Sequence, residues 1–181
     1  MRIIAGRLKG KKLKTPKGLI TRPVLARVRE ALFNILGDLE GARILDLYSG
    51  TGSIGIEALS RGAESAVFVE KGLAQCRIIR ENLNSIAKDA VVLHSDVERA
   101  LRKLQKDRMV FDFAFADPPY EMGLSQKTVE SVCKRGLLAE NGVMAVTTRY
   151  SEEMPDQVCM YRMVFDRRYG DTRLAIFKFS T

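Results

Sequence analysis

Histidine is nearly missing from this chain: His94 is the one imidazole in 181 residues. Mechanisms built on histidine acid–base chemistry or on histidine metal ligands start with little to work from, and a Ser-His-Asp hydrolase is all but excluded. Cysteine is almost as scarce. Cys76, Cys133 and Cys159 are far apart and form no C-x-x-C pair, so neither a disulfide framework nor a zinc or iron–sulfur site is expected. Long apolar runs are missing too, since nothing approaches the roughly 18 residues that cross a bilayer. The opening "MRIIAGRLKGKKLK" has the charge of a signal n-region without an apolar segment behind it. These absences predict a cytoplasmic protein with reduced thiols, no metal and no membrane partner.

Acid is what the first fifth of the chain lacks. Residues 1–36 hold ten Lys or Arg against Glu30 alone, a net +9, whereas the remainder sums to about −1. Clustered cations gain by counterion release on a polyanion, so this segment reads either as a solvated basic face or as a phosphate-backbone contact. The candidate RNA contacts are Arg2, Arg7, Lys9, Lys11, Lys12, Lys14, Arg22 and Arg27, with Arg29 also available.

What is present is an ordinary globular composition, 46% hydrophobic and 29% charged, in a length that suits one domain with a small appendage. "RIIAG" and "KKLKTP", set apart by Gly6 and Gly10, predict a basic hairpin, and residues 1–20 are read as an extension to a domain spanning 21–181. "PVLARVREALFNIL" is an amphipathic helix opened by Pro23 and closed by Gly37. From residue 43 short apolar runs alternate with helical stretches. Strands are expected at 43–48, 65–70, 90–96, 109–117 and in "GVMAVTT", with helices between them, which is the pattern of βαβ units in a parallel sheet buried on both faces. Two β-rich runs around "RYGDT" should close the sheet with an antiparallel pair. The expected fold class is α/β, a Rossmann-like, mostly parallel seven-stranded sheet.

"DLYSGTGSIG" places Gly50, Gly52 and Gly55 as G-x-G-x-x-G between a strand and a helix. Glu70 ends the next strand, where a carboxylate can accept from both hydroxyls of a ribose. An adenosine-containing cofactor follows, and both NAD and S-adenosylmethionine fit. Asp46, close to the loop, would burden a pyrophosphate but suits the ammonium and sulfonium of S-adenosylmethionine. Asp96 can accept from the adenine amine, with the Val97 N–H beside it, or it can simply cap the helix "VERALRKL".

"AFADPPYEMG" ends a strand on Asp117, and two prolines stop the ladder there. An exocyclic amine is a poor nucleophile because its lone pair is delocalised into the ring. A site that methylates it must accept from its N–H groups as charge develops. Asp117 and the fixed Pro118 carbonyl supply acceptors, and Tyr120 supplies a stacking face for an unstacked base.

Together "RIIAGRLKGKKLKTPKG", "TRP" with "RVREALFNIL", "LDLYSGTGSIGIEALSRGA", "DPPY" and "YGDTRLAIFKF" resemble the bacterial small-subunit rRNA guanine-N2 methyltransferases across nearly the whole chain. The resemblance implies a Rossmann-like methyltransferase fold, S-adenosylmethionine as methyl donor, and transfer to N2 of a guanine in 16S rRNA, with a pre-assembled small-subunit particle as substrate; a monomer is expected. By motif it places Asp46, Ser49, Gly50, Gly52, Glu70 and Asp96 around the cofactor, and Asp117, Pro118 and Tyr120 around the base. Val24, Leu25 and Ala26 depart from the polar residues usual in that family. The alternatives are methylation of another planar amine, adenine N6 or a protein glutamine, a nicotinamide-dependent oxidoreductase, and a noncatalytic RNA-binding assembly factor.

Overall fold

Aliphatic runs too short for a helix and bounded by glycines or acids become the strands of one sheet, and the amphipathic stretches between them become its two covering layers. The structure is a computed structural model that describes residues 1–16, 23–84, 86, 89–120 and 123–180, the side chains of 23–25 excepted. In chain order the elements are α1 (Pro23–Leu36), β1 (Arg43–Leu47), α2 (Ser53–Ser60), β2 (Ser65–Glu70), α3 (Leu73–Leu83), β3 (Ala90–His94), α4 (Val97–Lys106), β4 (Phe111–Ala116), α5 (Leu124–Lys134), β5 (Leu138–Arg149), β6 (Gln157–Val158), β7 (Tyr161–Tyr169) and β8 (Thr172–Phe179). The strand order is β3-β2-β1-β4-β5-β8-β7-β6, with β3, β2, β1, β4 and β5 parallel and β8, β7 and β6 added antiparallel.

The predicted α/β fold and its closing antiparallel hairpin are therefore present. The strand count is eight among the described residues and not seven, because Gln157 and Val158 pair with Arg162 and Tyr161 as a two-residue edge strand. So short a strand has no period-2 pattern to read. β1 also ends one residue early, at Leu47, since Tyr48 turns out of the strand with φ 57°. β5 begins at Leu138 and shifts register against β4 between Phe111 and Phe113, so it is longer than "GVMAVTT" alone.

Alternation along the strands divides the core in two. Ile44, Phe68, Phe113, Phe115 and Ile176 pack against α1, α2 and α3, while Leu45, Leu47, Val67, Val69, Ala114 and Phe177 pack against α4 and α5. With 0 or 1% exposure at Ile44, Phe68 and Phe113, and helices covering both faces, the strands have to be apolar throughout. No helix among the described residues is long and apolar enough to cross a membrane.

The N-terminal segment folds back on itself through a single isolated bridge and forms no strand among its described residues, with Arg2 bridged to Lys12, Ile3 N donating to Lys11 O and Leu13 N to Met1 O. It is docked closely on the domain. Ile3 and Leu13 are 2% exposed, in the same core as α1 and α2. Glu57 of α2, 0% exposed, accepts from Ile4 N at 2.8 Å and Ala5 N at 2.9 Å and from Arg61 Nε at 3.0 Å. Gly6 lies so near α2, at φ 77°, that a Cβ there would fall 1.8 Å from Ser60 O. Arg29 is corrected by this docking: it is buried and donates through Nη2 to Arg2 O at 2.9 Å, so it ties α1 to the N-terminal segment and offers no surface for a phosphate. Burial lowers its pKa, with Glu57 opposing.

Candidate active site

A parallel sheet brings the carboxyl ends of its strands to one edge, and β1 and β4, neighbours at the point where the strand order reverses, form the crevice there. Asp46 is the penultimate residue of β1 and is 1% exposed. Its Oδ2 accepts from Gly55 N at 3.0 Å, so the third glycine of the motif anchors the acid to the first turn of α2. Gly55 has no alternative, because a Cβ there would meet the Phe68 ring at 2.3 Å. Burial drives the Asp46 carboxyl up to about 8 against the Gly55 hydrogen bond, and the nearby carboxylates of Asp117 and Glu70 push it further the same way.

The loop between Asp46 and α2 is held from below. Ser49 is buried and its hydroxyl donates to Asp46 O at 2.6 Å, with Val69 O also at 3.2 Å, so this side chain closes the loop internally. Tyr48, Gly50 and Gly52 all take positive φ and turn the chain tightly, with Ser49 N donating to Val69 O at 3.1 Å and Gly52 N to Ser49 O at 2.7 Å. Glu70, the last residue of β2, accepts from Gly50 N at 2.9 Å through one oxygen and from Gly72 N at 2.7 Å through the other. A carboxylate has about four lone-pair positions, so each oxygen retains capacity for a further donor. Asn82 of α3 ties the loop to the N-terminal segment, donating to Thr51 O at 3.2 Å and Lys14 O at 3.1 Å and accepting from Lys14 N at 2.8 Å.

Asp96 is exposed and caps α4, accepting from Arg99 N at 2.8 Å. The cap uses one carboxylate oxygen. Val97, half-buried, borders a cavity of about 350 Å³ between α4 and α5 that Tyr48 and Leu124 also line. Asp46, Glu70 and Asp117 do not line it.

Asp117 follows β4 directly and is half-buried, with Pro118 buried behind it. The Thr147 hydroxyl of β5 donates to its Oδ1, which fixes the carboxylate plane. Tyr120 is half-buried, and its hydroxyl shares a hydrogen bond of 2.7 Å with Thr172 at the start of β8. Thus β1, β2 and β4 deliver Asp46, Glu70 and Asp117 to one place, while Asp96 stands on the rim beyond β3. Thr147, Thr172, Asn82 and Glu57 were not anticipated. Glu57 carried a signal, an acid on the apolar face of "SIGIEALS"; Asn82 carried none, since its partners lie 31 and 68 residues away.

The basic side chains lie as follows. Arg2, Arg7, Lys9, Lys12, Lys14 and Arg27 are exposed and Lys11 is half-buried. Arg7 also donates to Ile86 O at 2.9 Å, and Lys14 pairs with Glu81 at 3.0 Å. Arg22 lies outside the described residues.

Three kinds of likeness agree with this geometry. The family described as conserved hypothetical protein 95 matches residues 1–178. The candidate rRNA methyltransferase YlbH of Bacillus subtilis is 36% identical over 98% of both chains. Ribosomal RNA small subunit methyltransferase D of Escherichia coli K12 is 34% identical over 86% of this chain and 78% of its own. Among solved structures, the candidate methyltransferase yhhF of Escherichia coli superposes with a TM-score of 0.89 at 30% identity, over 99% of this chain and 98% of that one.

Proposed function

The chain belongs to the family described as conserved hypothetical protein 95, and from that premise we propose that it transfers the methyl group of S-adenosylmethionine to the exocyclic N2 amine of a guanine in small-subunit rRNA. The observation that carries the reading is the convergence of Asp46, Glu70 and Asp117 on one sheet edge, with Asp46 pushed up to about 8 by burial and by the other two acids. Three carboxylates this close repel one another until a cation joins them. A ligand with an ammonium and a sulfonium answers that need, so the residues present fit S-adenosylmethionine.

Asp46 would hold the cationic methionine end beside the glycine loop, and Glu70 the ribose hydroxyls. Asp96 and Val97 would take the adenine edge. When bound, this donor supplies an activated methyl on a sulfonium, so the protein has only to prepare the acceptor. Asp117 and the Pro118 carbonyl accept from the two N–H groups of the amine, which raises electron density on nitrogen and stabilises the positive charge that develops during attack. Thr147 keeps Asp117 aimed while this happens. The Tyr120 ring, steadied through its hydroxyl by Thr172, stacks on the flipped base. The basic N-terminal segment, with Lys9, Lys11, Lys12, Lys14, Arg2, Arg7, Arg22 and Arg27, contacts the rRNA backbone, in naked rRNA or in a small-subunit particle. The working unit is the monomer, in the cytoplasm, with no metal.

Asp117→Ala tests the reading. Methyl transfer to 16S rRNA should fall at least a hundredfold, the scale of removing one group that acts on developing charge, while calorimetry still detects S-adenosylmethionine binding. Near wild-type turnover in this variant would remove Asp117 from the mechanism. Mass mapping of the treated rRNA should place the new methyl on a guanine N2, and a methyl on adenine N6 would replace guanine as the acceptor.

A further inference from the structure

A second cluster of arginine and tyrosine lies on the same sheet edge as Asp117, far in sequence from the basic N-terminal segment. β5 ends at Arg149, in register with Thr172, and Tyr150 N donates to Asp171 O at 2.8 Å, so the turn joining β7 to β8 is laid against the end of β5. Arg168 donates from Nε to Gly170 O at 2.7 Å, which sets its guanidinium 4.3 Å over the Tyr150 ring. Arg173 lies 5.3 Å from the same ring, itself held by Glu152 O at 2.7 Å and Asp166 at 3.2 Å. Arg167 lies 5.6 Å over the ring of Tyr169, on the opposite face of the sheet. Tyr150 nevertheless stays 41% exposed, and Arg149, Arg167 and Arg168 are exposed.

The position of this cluster matters as much as its chemistry. Thr147, which holds Asp117, is three residues before Tyr150, which directly follows β5, about 10 Å away at the rise of a strand. Thr172, which holds Tyr120, belongs to the same turn. A base drawn to Asp117 leaves its neighbours unstacked, and the next nucleotides of a single strand pass at this distance. Fixed guanidinium planes and tyrosine rings stack on such bases whatever their identity. Glu152 is occupied by Thr148 and Gly123 N, and Asp166 by Arg173. Asp171 and Glu153 remain as exposed acids beside the exposed Arg168, so stacking and not net charge would carry the contact.

We propose that Tyr150 and Arg168, backed by Arg173, form a second RNA surface that holds the single-stranded nucleotides next to the methylated base. The inference rests on the rRNA amine-methylation reading above. Steady-state methyl transfer to 16S rRNA should show KM for RNA raised about tenfold in Tyr150→Ala and in Arg168→Ala, the scale of one lost stacking contact. Turnover at saturating RNA and S-adenosylmethionine affinity should stay within twofold. Tyr150→Phe should restore the wild-type KM, whereas Arg168→Lys, which keeps charge but loses the plane, should not. The salt slope of RNA binding should hardly move. Unchanged KM in both alanine variants, with an active wild type, overturns this surface and leaves the function standing. Should the alanine variants fail to fold, a wild-type KM in Arg168→Lys overturns it instead. A wild type that methylates no RNA brings down the functional reading and this surface together.

Discussion

Buried carboxylates keep their protons, and Asp46 does so with two like charges beside it: burial is the larger cause of its rise to about 8, Asp117 and Glu70 the smaller. The folded pKa lies above the unfolded value near 3.8, so the stability gained from holding this proton is complete below about pH 4. It is lost progressively as pH rises towards 8 and is gone above it. A cationic ligand reverses the preference. S-adenosylmethionine binding at pH 7 should therefore release close to one proton, read as a dependence of calorimetric enthalpy on buffer ionisation heat, and Asp46→Asn should show no such release. Glu57 is equally buried but fully matched, by Ile4 N, Ala5 N and Arg61. Glu57→Ala strands Arg61 and two amides, and should cost about 3–5 kcal/mol in denaturant unfolding, the range for breaking a buried ion pair. The two acids differ by partner and not by depth, a distinction that the letters D and E in "LDLYSGTGSIGIE" do not carry.

At the scale of elements, periodicity and punctuation made the βαβ run readable: β2 and α4 have the expected bounds, because Glu70 marks the strand end and Asp96 the helix cap, whereas β3 stops at His94, short of the expected 96. Strand ends and short pairings were less readable. Whether Tyr48 belongs to β1 depends on the positive φ that the loop imposes, and β6 exists only because β7 passes beside it. The glycine loop and the acids around it were legible since that chemistry is local. Its link to the N-terminal segment was not, because it runs through one amide, Asn82, between partners distant in sequence. Asn82→Ala removes three hydrogen bonds that join Lys14 to Thr51. S-adenosylmethionine affinity should drop several-fold, and hydrogen exchange at residues 3–14 should quicken in the same variant. Asn82→Asp, which keeps the acceptor for Lys14 N, should protect the segment better than it restores the cofactor site.

Over the whole molecule, charge and chemistry divide between the two ends of the sheet. The N-terminal segment hangs its lysines on the α1–α3 side, where Ile3, Leu13, Gly6 and Glu57 fix it rigidly, so its cations are presented on a preformed surface and little ordering is required on binding. The β7–β8 turn presents stacked arginines on the other flank of Asp117. An rRNA strand touching both would cross the cleft, with the target base between the two contacts. Backbone contacts and stacking contacts respond differently to salt, which separates the two flanks in one experiment. Changing Lys9, Lys11, Lys12 and Lys14 together to glutamine should weaken rRNA binding and reduce the slope of log K against log salt by up to about 3, at about 0.7 for each single-strand phosphate. Lys14 would contribute least, being already paired with Glu81. An unchanged slope in the quadruple variant, with thermal stability intact, would return the segment to an ordinary solvated face and shift RNA recognition to the arginines around Tyr150.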